Sequence, residues 1–275
     1  MNFVQRHAYD IGYLLALMAW PFVGGRRRRV AVENVLRAKV ADSPRAARRL
    51  ARRSLGHLGG HVAEALFVPS VVTRENYREH LDFSGAPEEP VKLLLEQTDK
   101  PIIIVSGHHG VWEAATNVLS FARPMIAVAR VQNNKWLARW MTKHHFRGPV
   151  TIVDKNHGFS AAVLDQWKRT NAAMTILMDQ HAGKKAPLLR FFDRPARTFT
   201  TATRLAMRTG CPIVVGSFVR VAPYVYRLVA TGGSVSVSKT DDRDAVTQLL
   251  NDRIEAAVRQ YPEQYLWLHR RWRDD

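Results

Sequence analysis

Residues 101–113, PIIIVSGHHGVWE, join an apolar run to a helix-forming segment through two glycines and two histidines. Pro101 to Val105 is apolar without alternation, which predicts a strand buried on both faces. Gly107 lets the chain turn tightly, and Gly110 permits close backbone approach where the next helix begins. A fold needs only a turn at such a strand end. Two histidines, a tryptophan and a glutamate there are chemistry beyond what a turn requires.

The same texture recurs on either side. MIAVAR (125–130), VTIVDK (150–155) and AMTILMDQ (173–180) are further apolar runs, separated by helical patterns over 111–122, 134–146 and 157–170. Near-continuous apolar runs alternating with helices predict an α/β fold: a mixed, mostly parallel sheet flanked by helices. The stretch HAGKKAPLLRFFDRPART (181–198) reads as a loop. A helix over 199–209 leads into CPIVVGSFVR and YVYRLVAT, close enough to form a hairpin. A last helix, 242–260, precedes YPEQYLWLHRRWR. Residues 1–80 read as an N-terminal helical layer. Asp42-Ser43-Pro44 is a helix start signal, and Leu50, Leu55, Leu58, Val62, Ala65 and Leu66 follow at helical spacing. The expected organisation is a basic, membrane-associating helical region over 1–80 and an α/β core over 81–275.

The chain of 275 residues carries a formal charge of +17, which calls for an anionic partner. Cys211 is alone, so no intrachain disulfide forms. Ile11 to Val23, IGYLLALMAWPFV, is apolar, but about 13 helical residues span roughly 20 Å against a hydrocarbon core of roughly 30 Å. Four arginines, Arg26 to Arg29, follow at once, and Arg45, Arg48, Arg49, Arg52 and Arg53 continue the basic character. Such a helix suits the interface of an anionic leaflet, attached peripherally or monotopically. The alternative is a core helix followed by a solvated charge run.

Four strands end on chemically capable residues: His108, Arg130, the pair Asp154 and Lys155, and the pair Asp179 and Gln180. Ligand crevices of open α/β sheets lie beyond the carboxyl ends of the strands, so the recurrence predicts one shared pocket. Glu113 falls in the first turn of the helix after His108. The H-x4-E spacing lets a carboxylate hold one ring nitrogen while the other faces the cleft as a general base. Amides at that helix start offer an anion site. His109 reads as structural. Ser106 lacks the G-x-S-x-G setting of a nucleophile. No metal-ligand spacing, P-loop or G-x-G-x-x-G is present, so neither metal nor nucleotide cofactor is expected.

With GHHGVWE, MDQHAG, FFDRPARTFTTATRLAMRTGCPIVV and PEQYLWLHRR, the chain resembles bacterial lipid A biosynthesis acyltransferases, the lauroyl/myristoyl branch of the lysophospholipid acyltransferase superfamily. The resemblance implies His108 as catalytic base with Glu113 as its partner. It implies Arg130 and Asn133 (the R-x-x-N block), Lys155 (where some members carry arginine), Asp179 and Gln180 as substrate-binding residues. It also implies an acyl donor, acyl carrier protein or acyl-CoA, and a membrane-lipid hydroxyl as acceptor, at the cytoplasmic face of the inner membrane. Other readings are an acyl-ester or thioester hydrolase using water, and a basic nucleic-acid-binding protein in which Trp136, Trp140, Trp267 and Trp272 stack on bases.

Overall fold

The structure is a computed structural model that describes residues 1–96, 100–129, 148–154 and 160–273. In chain order its helices are α1 (Phe3–Ala19), α2 (Gly25–Arg37), α3 (Pro44–Ala65), α4 (Val68–Val71), α5 (Glu88–Leu95), α6 (Trp112–Leu119), α7 (Ala161–Arg169), α8 (Thr201–Thr209) and α9 (Arg243–Gln260). The strands are β1 (Leu81–Asp82), β2 (Ile102–Ser106), β3 (Met125–Ala129), β4 (Val150–Asp154), β5 (Ala173–Leu177), β6 (Leu188–Phe191), β7 (Arg194–Arg197), β8 (Ile213–Ala222) and β9 (Val225–Ala230). The helical pattern over 134–146 lies outside the described residues.

Seven strands form one sheet in the order β1-β9-β8-β2-β5-β3-β4. Every pairing is parallel except the β8–β9 hairpin. The fold is therefore α/β with a mixed, mostly parallel sheet, as the apolar runs predict. Every residue of β2 is buried because helices cover both faces. Ile103 and Val105 join a core with Ala31, Val35, Ala47 and Ala51 of α2 and α3. Ile102 and Ile104 join a second core with Ala114, Ala115 and Val118 of α6.

The stretch read as a loop, 181–198, contains an antiparallel hairpin of β6 and β7. Its two-residue turn, Phe192-Asp193, has φ of 53° and 57°. This left-handed turn usually takes Asn-Gly, so the sequence carried no turn signal. Burial offsets the strain: Phe192 is tilted against Trp267 at 5.8 Å, and the Arg259 guanidinium lies 4.8 Å from its ring centroid.

Helix α3 starts on the Ser43 cap, whose Oγ accepts the Ala46 N–H at 3.2 Å. It crosses α1 where both helices carry small residues. A Cβ on Gly12 would stand 2.4 Å from the Gly59 carbonyl, and one on Gly59 would stand 2.4 Å from Ala16 Cβ. Pressed on α3 by that face, α1 turns Ile11, Leu14, Leu15 and Met18 to the outside. Phe22, in the 3-10 turn that follows, is 88% exposed. The helical layer is tied to the sheet by a buried ion pair, Glu64 to Arg220 at 2.8 Å. Tyr226 donates to the same carboxylate at 3.1 Å, and the Arg220 guanidinium lies over the Tyr9 ring.

Candidate active site

Register builds the site. β2 and β5 are parallel neighbours, with Ser106 opposite Leu177. Two residues beyond each last pair stand His108 and Asp179. The Met178 N–H donates to the Ser106 carbonyl at 3.1 Å, extending the pairing into the turn. The Asp179 carboxylate accepts twice from His108: from Nδ1 at 2.8 Å and from the backbone N–H at 2.9 Å. Gly107 is snug beneath it, since a Cβ there would stand 3.2 Å from the carboxylate.

Burial alone would raise the Asp179 pKa, but the His108 charge, the two hydrogen bonds from His108 and Arg271 together pull it from 3.8 to about 2. An ionised carboxylate only accepts, so the proton of the neutral ring sits on Nδ1 and the lone pair on Nε2. The Gln180 amide lies at 3.1 Å from Nε2, in place to donate to it. Trp112 meets the ring edge-on at 5.3 Å. The geometry is that of an imidazole fixed in one tautomer with its basic nitrogen turned to an exchangeable amide.

A carboxyl held below its unfolded pKa adds stability that is present above about pH 4 and drains away as pH falls towards 2. Wild type is accordingly expected to lose part of its stability advantage over Asp179→Asn across that window. An advantage unchanged from pH 5 to pH 2 in unfolding titrations would refute the electrostatic assignment.

The segment after α9 supplies the floor. Leu266 N–H donates to the His108 carbonyl at 3.0 Å, and His109 bridges to Tyr265. Arg271, buried, donates to the Gln180 carbonyl at 3.2 Å and to Thr198 Oγ1 at 2.8 Å. The Tyr265 hydroxyl is raised well above its ordinary range by burial and by Asp179 beside it. Asn34 of α2 holds this segment through the Trp267 and His269 carbonyls at 2.8 and 2.7 Å.

The sequence-predicted residues fall into three groups. His108, Asp179 and Gln180 are brought into direct contact. Glu113 is exposed in the first turn of α6 and lines a cleft beside Trp112. Arg130, Asn133 and Lys155 lie outside the described residues, as do Trp136 and Trp140. Asp179, grouped with the substrate-binding residues from sequence, has its carboxylate on the His108 ring and backbone N–H. His109 is fully buried, with Nε2 on the Tyr261 carbonyl at 3.0 Å. Burial lowers its pKa to about 4, so it is a neutral structural ring. Just ahead of α6, the Gly110 N–H goes to the Gln264 carbonyl and the Val111 N–H to the Phe218 carbonyl. Sequence reasoning missed Arg271, Tyr265 and Gln264, whose signal was the dense aromatic and cationic run near residue 270. Among the described residues no group of three His, Cys, Asp or Glu is arranged to hold a metal.

A histidine–carboxylate pair at the strand ends of a basic α/β protein fits several chemistries. The profile of the family described as "Bacterial lipid A biosynthesis acyltransferase" matches residues 5–274. The chain belongs to that family. It is similar to the lipid A biosynthesis palmitoleoyltransferase of Escherichia coli (strain K12), at 26% identity over 271 residues, covering 96% of this chain and 84% of the relative. The lipid A biosynthesis acyltransferase of Shigella flexneri matches with the same identity and coverage. As a member of the lipid A biosynthesis acyltransferase family, the protein is an acyltransferase.

Proposed function

We propose that the protein moves a fatty acyl chain from an acyl thioester, carried by acyl carrier protein or coenzyme A, to a hydroxyl of a lipid A precursor or related lipid. The observation that carries this reading is the Asp179–His108 pair, which leaves Nε2 as the basic nitrogen. The acceptor hydroxyl takes the place of the Gln180 amide at Nε2. His108 removes the hydroxyl proton as the oxygen attacks the thioester carbonyl. The new C–O bond forms, the C–S bond breaks, and the imidazolium returns the proton to the leaving thiolate. Asp179 steadies the imidazolium while it exists. Glu113 adds negative charge in the first turn of α6, and the displaced Gln180 amide is a donor for the tetrahedral oxyanion. No covalent acyl-enzyme is required, and the reaction needs no metal or cofactor.

Incubation with an acyl thioester and a lipid acceptor, followed by mass spectrometry, tests this directly. The expected product is an acceptor heavier by one acyl chain, with one thiol released. Free fatty acid released at the same rate with or without acceptor would make the enzyme a hydrolase.

Attachment to the cytoplasmic face of the inner membrane belongs to the same proposal. Among the described residues no helix is long and apolar enough to cross a membrane. The exposed apolar face of α1, ending at Phe22, is followed directly by the exposed Arg26, Arg27 and Arg29. An apolar face bordered by cations matches an anionic leaflet, lipid tails below and phosphates above. High salt is expected to release part of the protein from vesicles and detergent all of it. Complete release by salt alone would remove the inserted-helix idea. Replacing Arg26 to Arg29 with glutamine removes about 1 kcal/mol of surface attraction per charge. Activity on membrane-embedded acceptor is therefore expected to fall more than activity on detergent-solubilised acceptor. Equal losses would assign the run to folding or to carrier-protein docking.

A further inference from the structure

A buried arginine grips the strand end that carries Gln180. Arg271 is 2% exposed, and both terminal nitrogens of its guanidinium are committed. One donates to the Gln180 carbonyl at 3.2 Å and to the Arg197 carbonyl, the other to Thr198 Oγ1 at 2.8 Å. Asp179 reaches it through its field and not through a hydrogen bond, and its Nε has no hydrogen-bond partner among the described residues. Taking a charge out of water is costly, and neutral oxygens offset that cost only in part. Packing alone does not ask for an arginine here.

The contacts show what the fork joins. Gln180 stands three residues beyond β5 and Arg197 is the last residue of β7, so one planar group locks two strand ends in a single geometry. The next residue is pinned from the same segment, since the His181 N–H donates to His269 Nε2 at 3.3 Å. The segment also holds the base, through the Leu266 N–H on the His108 carbonyl at 3.0 Å. Residues 266–271 thus fix the backbones of His108 and Gln180 against each other. Asn34 anchors that span from α2, and Trp272 anchors its end by donating from Nε1 to the Phe191 carbonyl at 3.2 Å. What stays free at Gln180 is its side chain, with the amide 3.1 Å from His108 Nε2.

We infer that Arg271 is a positioning residue for acyl transfer: by fixing the Gln180 carbonyl, it places the Gln180 amide where the tetrahedral oxyanion forms. The inference rests on the acyl-transfer reading and deepens it. Groups that meet a transition state must be held within about 0.5 Å of the productive geometry. With its backbone clamped, Gln180 exchanges its amide between Nε2 and the oxyanion by side-chain rotation alone. Arg271 touches neither donor nor acceptor and acts only through Gln180.

A double-mutant cycle on steady-state rates tests this, with an acyl thioester and a detergent-solubilised lipid acceptor. Arg271→Lys keeps the charge that acts on Asp179 but loses the fork. It is expected to lower kcat roughly 10- to 100-fold, as a small misplacement of a catalytic group does, with KM for both substrates within about threefold. Gln180→Ala is expected to cost at least as much, and adding Arg271→Lys to it at most about twofold more. A merely structural arginine would lower kcat by the same factor in both backgrounds, and that result would overturn the inference. So would wild-type kcat in either single variant, which would leave acyl transfer standing. A wild-type enzyme that moves no acyl chain in this assay would overturn both readings. Should Arg271→Lys fail to fold, Thr198→Val removes one anchor of the fork with the guanidinium in place. It enters the same cycle against Gln180→Ala and is judged by the same non-additivity.

Discussion

His108→Ala is expected to slow acyl transfer roughly 10²- to 10⁴-fold, the range for removing a general base. The fold should survive, since His108 is partly exposed and its backbone contacts to Asp179 and Leu266 do not need the ring. Asp179→Asn is expected to cost a similar factor for a different reason. An asparagine amide can present its NH₂ to Nδ1, which moves the ring proton to Nε2 and leaves no base facing the substrate. Because the two residues act as one unit, the double variant should be little worse than His108→Ala alone. Glu113→Gln is expected to cost less, its charge acting from the α6 surface. Steady-state rates with thermal melts on the same preparations decide the matter. Activity within tenfold of wild type for His108→Ala would mean the base is elsewhere.

Gly110→Ala is expected to destabilise the protein by about 3 to 6 kcal/mol, a large part of the usual 5–15 kcal/mol total. Gly110 has a φ of +68°, and its Cβ would fall 1.9 Å from the Phe218 carbonyl oxygen. That carbonyl already accepts the Val111 N–H at 2.7 Å, so it cannot move away without losing a second contact. Gly183→Ala is the control: its φ is +88°, but nothing lies within 4 Å of the added Cβ. It should cost only the backbone strain, about 1–2 kcal/mol. Chemical denaturation of both variants separates strain from collision. Equal midpoints would show that the approach of β8 to the Gly110 turn is soft.

The site was legible in its residues but not in its pairing. Strand ends could be marked from sequence, and His108, Asp179 and Gln180 all stood at them. Strand order could not: β5 follows β3 and β4 in the chain yet lies between β2 and β3 in the sheet. The carboxylate nearest in sequence, Glu113, was therefore the natural partner to assign to His108 from H-x4-E. Asp179, 71 residues away, holds the Nδ1 bond. The hairpin of β6 and β7 was hidden because its turn uses an aromatic residue at positive φ, a choice only tertiary burial explains. The β8–β9 hairpin was visible because a two-residue gap between β-branched runs is a local signal. Residues 264–271 stood out as an aromatic and cationic run but not as site residues, because their contacts, Leu266 on the His108 carbonyl and Arg271 on the Gln180 carbonyl, are set by tertiary packing and not by spacing.

His108 is held by groups at residues 179 and 266, whereas α1 and α3 meet through contacts nearer in sequence, such as Tyr9 with His57, 48 residues apart. Closing the longer loops costs more chain entropy, and contacts distant in sequence form late. The order of folding follows from this. A partly folded chain offers its apolar helical hairpin, the proposed membrane face, before its imidazole has acquired a tautomer. If the proposed membrane attachment holds, maturation of the His108 site would be an event at the bilayer surface, and an incompletely folded molecule would adhere there before it could turn over the proposed thioester.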